Sequence, residues 1–377
     1  MRATSAALAA VLALLLAEPC AADAARIYEG PWAWANPESV TVGPDELYPD
    51  VQFKGIFQSR SFFYTGRLDN GIVFIINLFH WTYSVFNQWG LTVLVTDRWG
   101  RLYRFEGSLP EEVRTDQKDG FSLHFGHTAF EETAGGGCRV RIVLKDFSCD
   151  LSLRPILPAW KPGDGWAFFT RKGDEYCRYS SPAPWAGLSG TMSVFGETLS
   201  ADGQCLWDNC LTVQPLNRTN SLITVFRAFG EPEDSSGSRT FISAMVTWTS
   251  EKYGPLPIPI LLVARDGKWV FTTKDFTLTP ADWTARRDPP FPYPNRYTVD
   301  GRDGNAGLEG QFESERMYDA MDVFDSLTPF LRSIAVLFLK RPVYYRMIGR
   351  FRGVLTMTDG EKIPLDLPAA GEYVILK

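Results

Sequence analysis

The sequence predicts a mainly β protein made of two antiparallel β-barrels, with one helix just ahead of the last strands. Three observations lead there. Runs of strand length, rich in β-branched and aromatic residues and joined by short turns, recur along nearly all of the chain after about residue 60. Aromatic residues make up 14% of the chain, which favours half-buried pleated surfaces and apolar pockets. No strand–helix–strand alternation occurs, which argues against a parallel nucleotide-binding sheet.

The elements follow in chain order. Residues 1–24, "MRATSAALAAVLALLLAEPCAADA", hold one basic residue (Arg2), an apolar run from Ala6 to Ala17 and small residues at Ala22 and Ala24. That is the layout of a secretory signal peptide cut before Ala25, and the run is too short to span a bilayer. The first barrel is expected over residues 25–216. "SFFYTGRL" runs into the turn "DNG", and "IVFIINLFHWTY" returns from it, a strong hairpin signal. "LTVLVTD", "LYRFEG", "FSLHFG", "CRVRIVL" and "CDLSLRPIL" continue the series, followed by "WAFFT", "LSGTMSVFG" and "GQCLWDNCLTV". The second barrel, residues 217–377, opens with "LITVFRAFG", "RTFISAMVTWTS" and "ILLVARDGKWVFTT". Near its end the pattern changes to helical in "TPFLRSIAVLFLKRP". Thr328 can cap the helix, with Pro329 in its first position. Leu331, Ile334, Ala335 and Phe338 recur at helical spacing, and Pro342 stops it. At about twelve residues, or ~18 Å, this helix is too short to cross a membrane.

The net charge of −6 and the lack of a basic stripe argue against a nucleic-acid partner. No metal site or cofactor is expected. The histidines are His80, His124 and His127, and the two in "HFGH" lie three apart, on opposite faces of a strand. There is no G-x-S-x-G, and "GRDGNAG" lacks the helix that a phosphate-binding loop needs. Five cysteines follow the signal, an odd number from which no pairing can be assigned. Asn217 opens the glycosylation sequon "NRT".

Two stretches supply candidate site residues. "GIVFIINLFHWTYSVF" is apolar on both faces: Ile72, Phe74, Ile76 and Leu78 share one, while Val73, Ile75, Phe79 and Trp81 share the other. Phe74, Ile76, Leu78 and Trp81, with Trp207, are the candidate ligand-binding wall. In "GQCLWDNCL", Asp208 lies in an apolar strand setting, where burial would raise its pKa and suit it to general acid catalysis. A structural, strand-end role for it is the other reading. Phe330, Leu337 and Leu339 widen the apolar side of the expected helix and are the candidates for peripheral membrane contact.

The stretches "DLSLRPILPAWKPGDGWAFF", "PWAGLSGTMSVFGETLSADGQCLWDNCLTVQPLN" and "FDSLTPFLRSIAVLFLKRPVYYRMIGRFRGVLTM", in that order, resemble the survival factor 1 family of double lipocalin-like proteins. The resemblance implies two lipocalin-like barrels side by side, sphingolipid handling that includes ceramide, and a link to survival under oxidative stress. It supplies no catalytic residues. The expectation is therefore a non-enzymatic lipid-binding or lipid-transfer protein of the secretory pathway, with a lipid or other hydrophobic small molecule as partner. The alternative is an enzyme of hydratase or cyclase type acting on a hydrophobic isoprenoid or polyketide. Asp208 would then be the acid and Trp207 its cation-stabilising neighbour.

Overall fold

A computed structural model describes Val42 and residues 57–83, 86–110, 113–114, 121–163, 165–170, 173–230, 237–287, 289–322 and 341–376. Its strands form two antiparallel sheets. The first holds β1 (Phe57–Leu68), β2 (Val73–Tyr83), β3 (Phe86–Thr96), β4 (Leu102–Leu109), β5 (Val113–Arg114), β6 (Ser122–Phe125), β7 (Thr128–Thr133), β8 (Gly137–Leu144), β9 (Phe147–Pro155), β10 (Trp166–Phe168), β11 (Tyr176–Val194), β12 (Glu197–Ser200) and β13 (Gly203–Thr212). Their order is β4-β3-β2-β1-β13-β11-β9-β8-β7-β6-β5, with β10 and β12 paired to β11. One helical turn, α1 (Leu216–Thr219), leads into the second sheet. This holds β14 (Asn220–Phe229), β15 (Thr240–Thr249), β16 (Pro257–Arg265), β17 (Lys268–Thr273), β18 (Phe276–Thr284), β19 (Tyr293–Asp303), β20 (Ala306–Asp322), β21 (Val343–Thr356) and β22 (Lys362–Ile375). Its order is β17-β16-β15-β14-β22-β21-β20-β19-β18, and β17 comes round against β19, so the sheet is nearly closed into a barrel.

Among the described residues, helix is limited to α1 and the 3-10 turn Glu251–Tyr253. The helix expected before the last strands is not supported: β20 ends at Asp322, β21 begins at Val343, and residues 323–340 lie outside the described residues. Phe330, Leu337, Leu339 and residues 1–24 also lie outside them.

The first hairpin shows how local chemistry sets the sheet. Asp69, Asn70 and Gly71 turn the chain, Gly71 takes φ +89°, and the Leu68 amide donates to the Ile72 carbonyl at 2.8 Å. The register then pairs Phe62 with Leu78, Tyr64 with Ile76 and Gly66 with Phe74. Gly66 is required there, because a Cβ on it would come within 2.6 Å of the Phe74 ring. Alternation sends Phe62, Tyr64 and Leu68 inward and leaves Ser59, Ser61 and Arg67 on the other face.

Three apolar clusters hold the molecule together. One fills the first sheet's concave side, from Phe62 and Phe74 across to Phe130, Leu151 and Trp207. A second fills the second sheet, where Phe226 stacks on Phe312 and Phe351 at ring separations of 5.9 and 5.4 Å. The third joins the two sheets: Leu157, Trp160, Trp185 and Leu206 of the first meet Phe229, Phe241, Ile260, Leu262 and Ala264 of the second.

Close backbone approach gives a direct test of the second sheet. Gly349 in β21 pairs with Ser314 in β20, and a Cβ on it would lie 1.9 Å from the Glu313 carbonyl oxygen. Backbone in a paired strand has nowhere to move. Gly349→Ala is therefore expected to lower stability by about 1–3 kcal/mol, read as a lower urea midpoint at unchanged slope.

Candidate functional site

The period of two along each strand, combined with cross-strand register, assembles a polar cluster at one end of the first sheet's interior. On β1 the inward residues are Gln58, Arg60, Phe62 and Tyr64. The pairing of β1 with β13 sets Arg60 beside Leu211, Phe62 beside Asn209 and Tyr64 beside Trp207. On the far side of β13, β11 sets Arg178 beside Leu211 and Ser180 beside Asn209. On β2, His80 stands opposite Arg60. Arg60 and Arg178 thus flank Leu211 on one inner face, although they are 118 positions apart in sequence (178 − 60). Gln58, Arg60, Arg178, Ser180 and Asn209 are all buried.

Aromatic rings frame this cluster. The Arg178 guanidinium lies 5.0 Å from the centre of the Trp166 ring, a cation–π contact. Tyr176 meets Trp166 edge-on at 5.0 Å, and burial pushes its phenol up while the nearby Arg60 charge opposes the rise. His80 stacks on Trp89 at 4.4 Å and hydrogen-bonds Asn87. Deeper in, Trp207 stacks on Tyr64 at 5.6 Å and meets Phe121 at 5.5 Å. Two buried donors on this interior face, Gln58 Nε2 and Trp207 Nε1, have no hydrogen-bond partner among the described residues.

The sequence candidates separate in space. Phe74, Ile76, Leu78 and Trp207 come together in the interior cluster. Trp81 pairs with Ser59 and lies half-buried on the opposite face, because it is odd-numbered on a strand whose even positions point inward. Trp207 and Asp208 do not form the expected catalytic pair. As neighbours on β13 they point to opposite faces, Trp207 into the first sheet's core and Asp208 toward the second sheet.

Asp208 instead begins an ionic chain that joins the sheets. One oxygen accepts from the Tyr179 hydroxyl at 2.8 Å and the other from Arg227 Nη2 at 3.3 Å. Arg227 Nη1 donates to Glu372 at 3.3 Å, and Arg346 Nε donates to the other Glu372 oxygen at 3.0 Å. Arg346 also pairs with Asp319, which accepts from Arg104 of the first sheet at 3.1 Å. Burial pushes the Asp208 carboxyl up, and Arg227 only partly offsets this. With both oxygens engaged by protein donors, Asp208 links the sheets and is not placed to protonate a substrate.

The remaining candidates are peripheral. Asn217 sits half-buried in α1, and the sequon's Thr219 is buried, its hydroxyl donating to the Leu216 carbonyl. His124 lies 3.0 Å from the Ser122 hydroxyl, while His127 follows the turn at Gly126, which takes φ +64°. Among the described residues, no group of three His, Cys, Asp or Glu side chains could hold a metal ion. Gln58, Arg60, His80, Arg178 and Asn209 are absent from the sequence-derived candidates. A signal for Arg60 existed: in "QSRSFFY" it is in phase with Phe62 and Tyr64, a charge on the apolar face of a strand.

No family model matches the chain, and no curated protein matches its sequence. Its architecture is nonetheless shared with solved lipocalin-like barrel proteins. The chain is similar to CghA, with a TM-score of 0.64 at 10% identity over 93% of this chain and 97% of that one. The complex of CghA with Sch210972 gives 0.61 at 10% identity, over 85% and 89%. Kievitone hydratase from Nectria haematococca gives 0.54 at 11% identity, over 95% and 98%. An AttH-type protein from Nitrosomonas europaea gives 0.56 at 15% identity, over 87% and 98%. At these identities the likeness is one of fold.

Proposed function

We propose that this chain is an enzyme acting on a hydrophobic small molecule of the isoprenoid or polyketide class, by hydration or cyclisation, inside the first sheet. This corrects the sequence expectation of a non-enzymatic lipid-transfer protein. The fold is shared over almost its whole length with a hydratase and with CghA, which was crystallised with a small molecule, and nothing in these likenesses favours lipid transfer.

The observation that carries the reading is that two buried donors, Gln58 Nε2 and Trp207 Nε1, have no partner among the described residues, on the interior face that also holds Arg60 and Arg178. Each unpaired donor costs about 1–3 kcal/mol, which an acceptor oxygen on a bound molecule offsets. The apolar wall of Phe62, Ile76, Leu78 and Phe121 suits the molecule's hydrophobic body, and the few polar groups orient it. A fixed N–H such as that of Trp207, aimed at a conjugated carbonyl, would stabilise the negative charge that grows on its oxygen as water or an internal alkene adds to the double bond. Confinement would hold the reacting carbons together.

The test is to incubate purified protein with a panel of hydrophobic enones and polyenes and to follow products by mass spectrometry. Gain of one water indicates hydration, and an isomer of equal mass indicates cyclisation. Trp207→Phe keeps an aromatic ring and removes the N–H. It is expected to lower kcat about 100-fold, as for loss of one oxyanion donor, with little change in Tm. An unconverted panel would overturn the enzymatic reading, and a fully active Trp207→Phe would overturn the assigned site.

A further inference from the structure

On the outward face of the first sheet two thiols meet. Cys177 in β11 pairs with Thr212 of β13, and Cys210 in β13 pairs with Tyr179 of β11. The two cysteines are therefore diagonal neighbours on one face of adjacent antiparallel strands, and their sulfurs lie 3.5 Å apart. A disulfide would close that separation to about 2.05 Å. Both residues are half-buried, Cys177 against the cluster of Phe169, Tyr253 and Ile258, whereas Cys138, Cys149 and Cys205 are buried in the first core. Burial pushes the Cys138 thiol up to about 12, which keeps it from ionising.

We propose that Cys177 and Cys210 are a covalent modification site, oxidised to an intramolecular disulfide by a low-molecular-weight disulfide such as oxidised glutathione. The inference is independent of the enzymatic reading. The hydrogen bond to Cys210, together with burial, raises the Cys177 thiol; either sulfur can open the exchange, which balances alike in both orders. With Cys210 first, its thiol gives its proton to solvent, and the thiolate attacks one sulfur of oxidised glutathione. That S–S bond breaks, one glutathione thiolate leaves, and a mixed disulfide remains on Cys210. Cys177 then loses its proton and attacks the Cys210 sulfur, releasing the second glutathione. Two protons and two electrons leave the protein, and one oxidised glutathione becomes two thiols.

The bond would fix the strand ends that carry the interior cluster. Tyr176 and Arg178 flank Cys177 on β11, and Asn209 and Leu211 flank Cys210 on β13, all on the inward face. The thiol pair thus sits directly behind the candidate site and beside Tyr179 and Asp208.

The test uses the reduced, purified full-length chain treated with oxidised glutathione. The intact mass should fall by two hydrogens, and dithiothreitol should reverse the change. Trypsin cuts after Lys172, Arg178 and Arg218, so a cross-link should join peptide 173–178 to peptide 179–218. The second peptide contains both Cys205 and Cys210. The cross-link should therefore vanish in Cys210→Ser and persist in Cys205→Ser. The oxidised wild type should melt a few degrees higher than the reduced form. An unchanged mass, a lasting glutathione adduct, or a cross-link that survives Cys210→Ser would overturn the proposal. The wild-type mass and peptide map decide the matter even if a variant fails to fold.

Discussion

Arg227→Ala is expected to destabilise the folded chain by about 3–5 kcal/mol, the cost of stranding buried charge. Arg227 stands between two carboxylates, Asp208 of the first sheet and Glu372 of the second, and its side chain is almost fully buried. Removing it takes from Asp208 the cation that faces it and leaves Glu372 to Arg346. The opposite change, Asp208→Asn, should cost far less, about 1 kcal/mol, because an amide oxygen still accepts from Tyr179 and Arg227 keeps Glu372. The asymmetry separates a structural link from a simple count of ion pairs. Measured by urea denaturation, equal losses in the two variants would contradict it.

The same variant carries a pH signature. Burial already raises the Asp208 carboxyl, and Arg227 opposes that rise. Without Arg227 the folded value moves further above the unfolded value of about 3.9. A group raised in this way contributes stability that is fully present below the unfolded value and is lost as pH climbs through the folded one. The deficit of Arg227→Ala should therefore be large at pH 7 and shrink toward pH 4. A deficit that grows on acidification would show that Asp208 is not the stranded charge.

Trp185→Ala is the second large effect, again about 3–5 kcal/mol. The indole lies between the sheets, stacked on Phe241 at 5.7 Å with 15° between the ring planes. Its N–H donates to Gln204 Oε1 at 2.8 Å, and Gln204 Nε2 donates in turn to the Gly230 carbonyl at 2.8 Å. Truncation opens a cavity in the joining cluster and strands a buried amide oxygen. Trp185→Phe should recover most of the packing and lose about 1–2 kcal/mol through the hydrogen bond alone. Denaturation curves for the three proteins test this ordering. A Phe variant as weak as the Ala variant would move the cause from cavity to hydrogen bond.

Both variants probe an interface that the sequence did not announce. Leu206, Trp185 and Phe241 read simply as strand residues, and nothing local says that they face one another. The acidic candidate was found in the sequence but misplaced. Asp208 does lie in a buried setting, yet alternation alone separates it from Trp207, and its partner Arg227 belongs to the other sheet. Trp81 fails as a wall residue for the same parity reason, while Phe74, Ile76 and Leu78 keep one face, as their spacing requires. The expectation of a carrier rested on the two-sided apolar strand and a family resemblance, and fold likeness alone never fixes function.

The sequence by itself determined most of the strands, their two-residue rhythm, the Asp-Asn-Gly hairpin and the interior face of β2. These depend on backbone preferences and side-chain chemistry within a few residues of one another. Only the tertiary structure decided which strands pair and in what register. It alone set Arg60 and Arg178 on either side of Leu211, Asp208 against Arg227 and Cys177 against Cys210. Register between distant strands reflects how all the faces pack at once. In β11 it also shifts, between Ser180 and Ala183 and again between Ala183 and Ala186, which breaks the rhythm that local reading follows. The site lies on the far side of those shifts, so its polar residues could be assembled only in three dimensions.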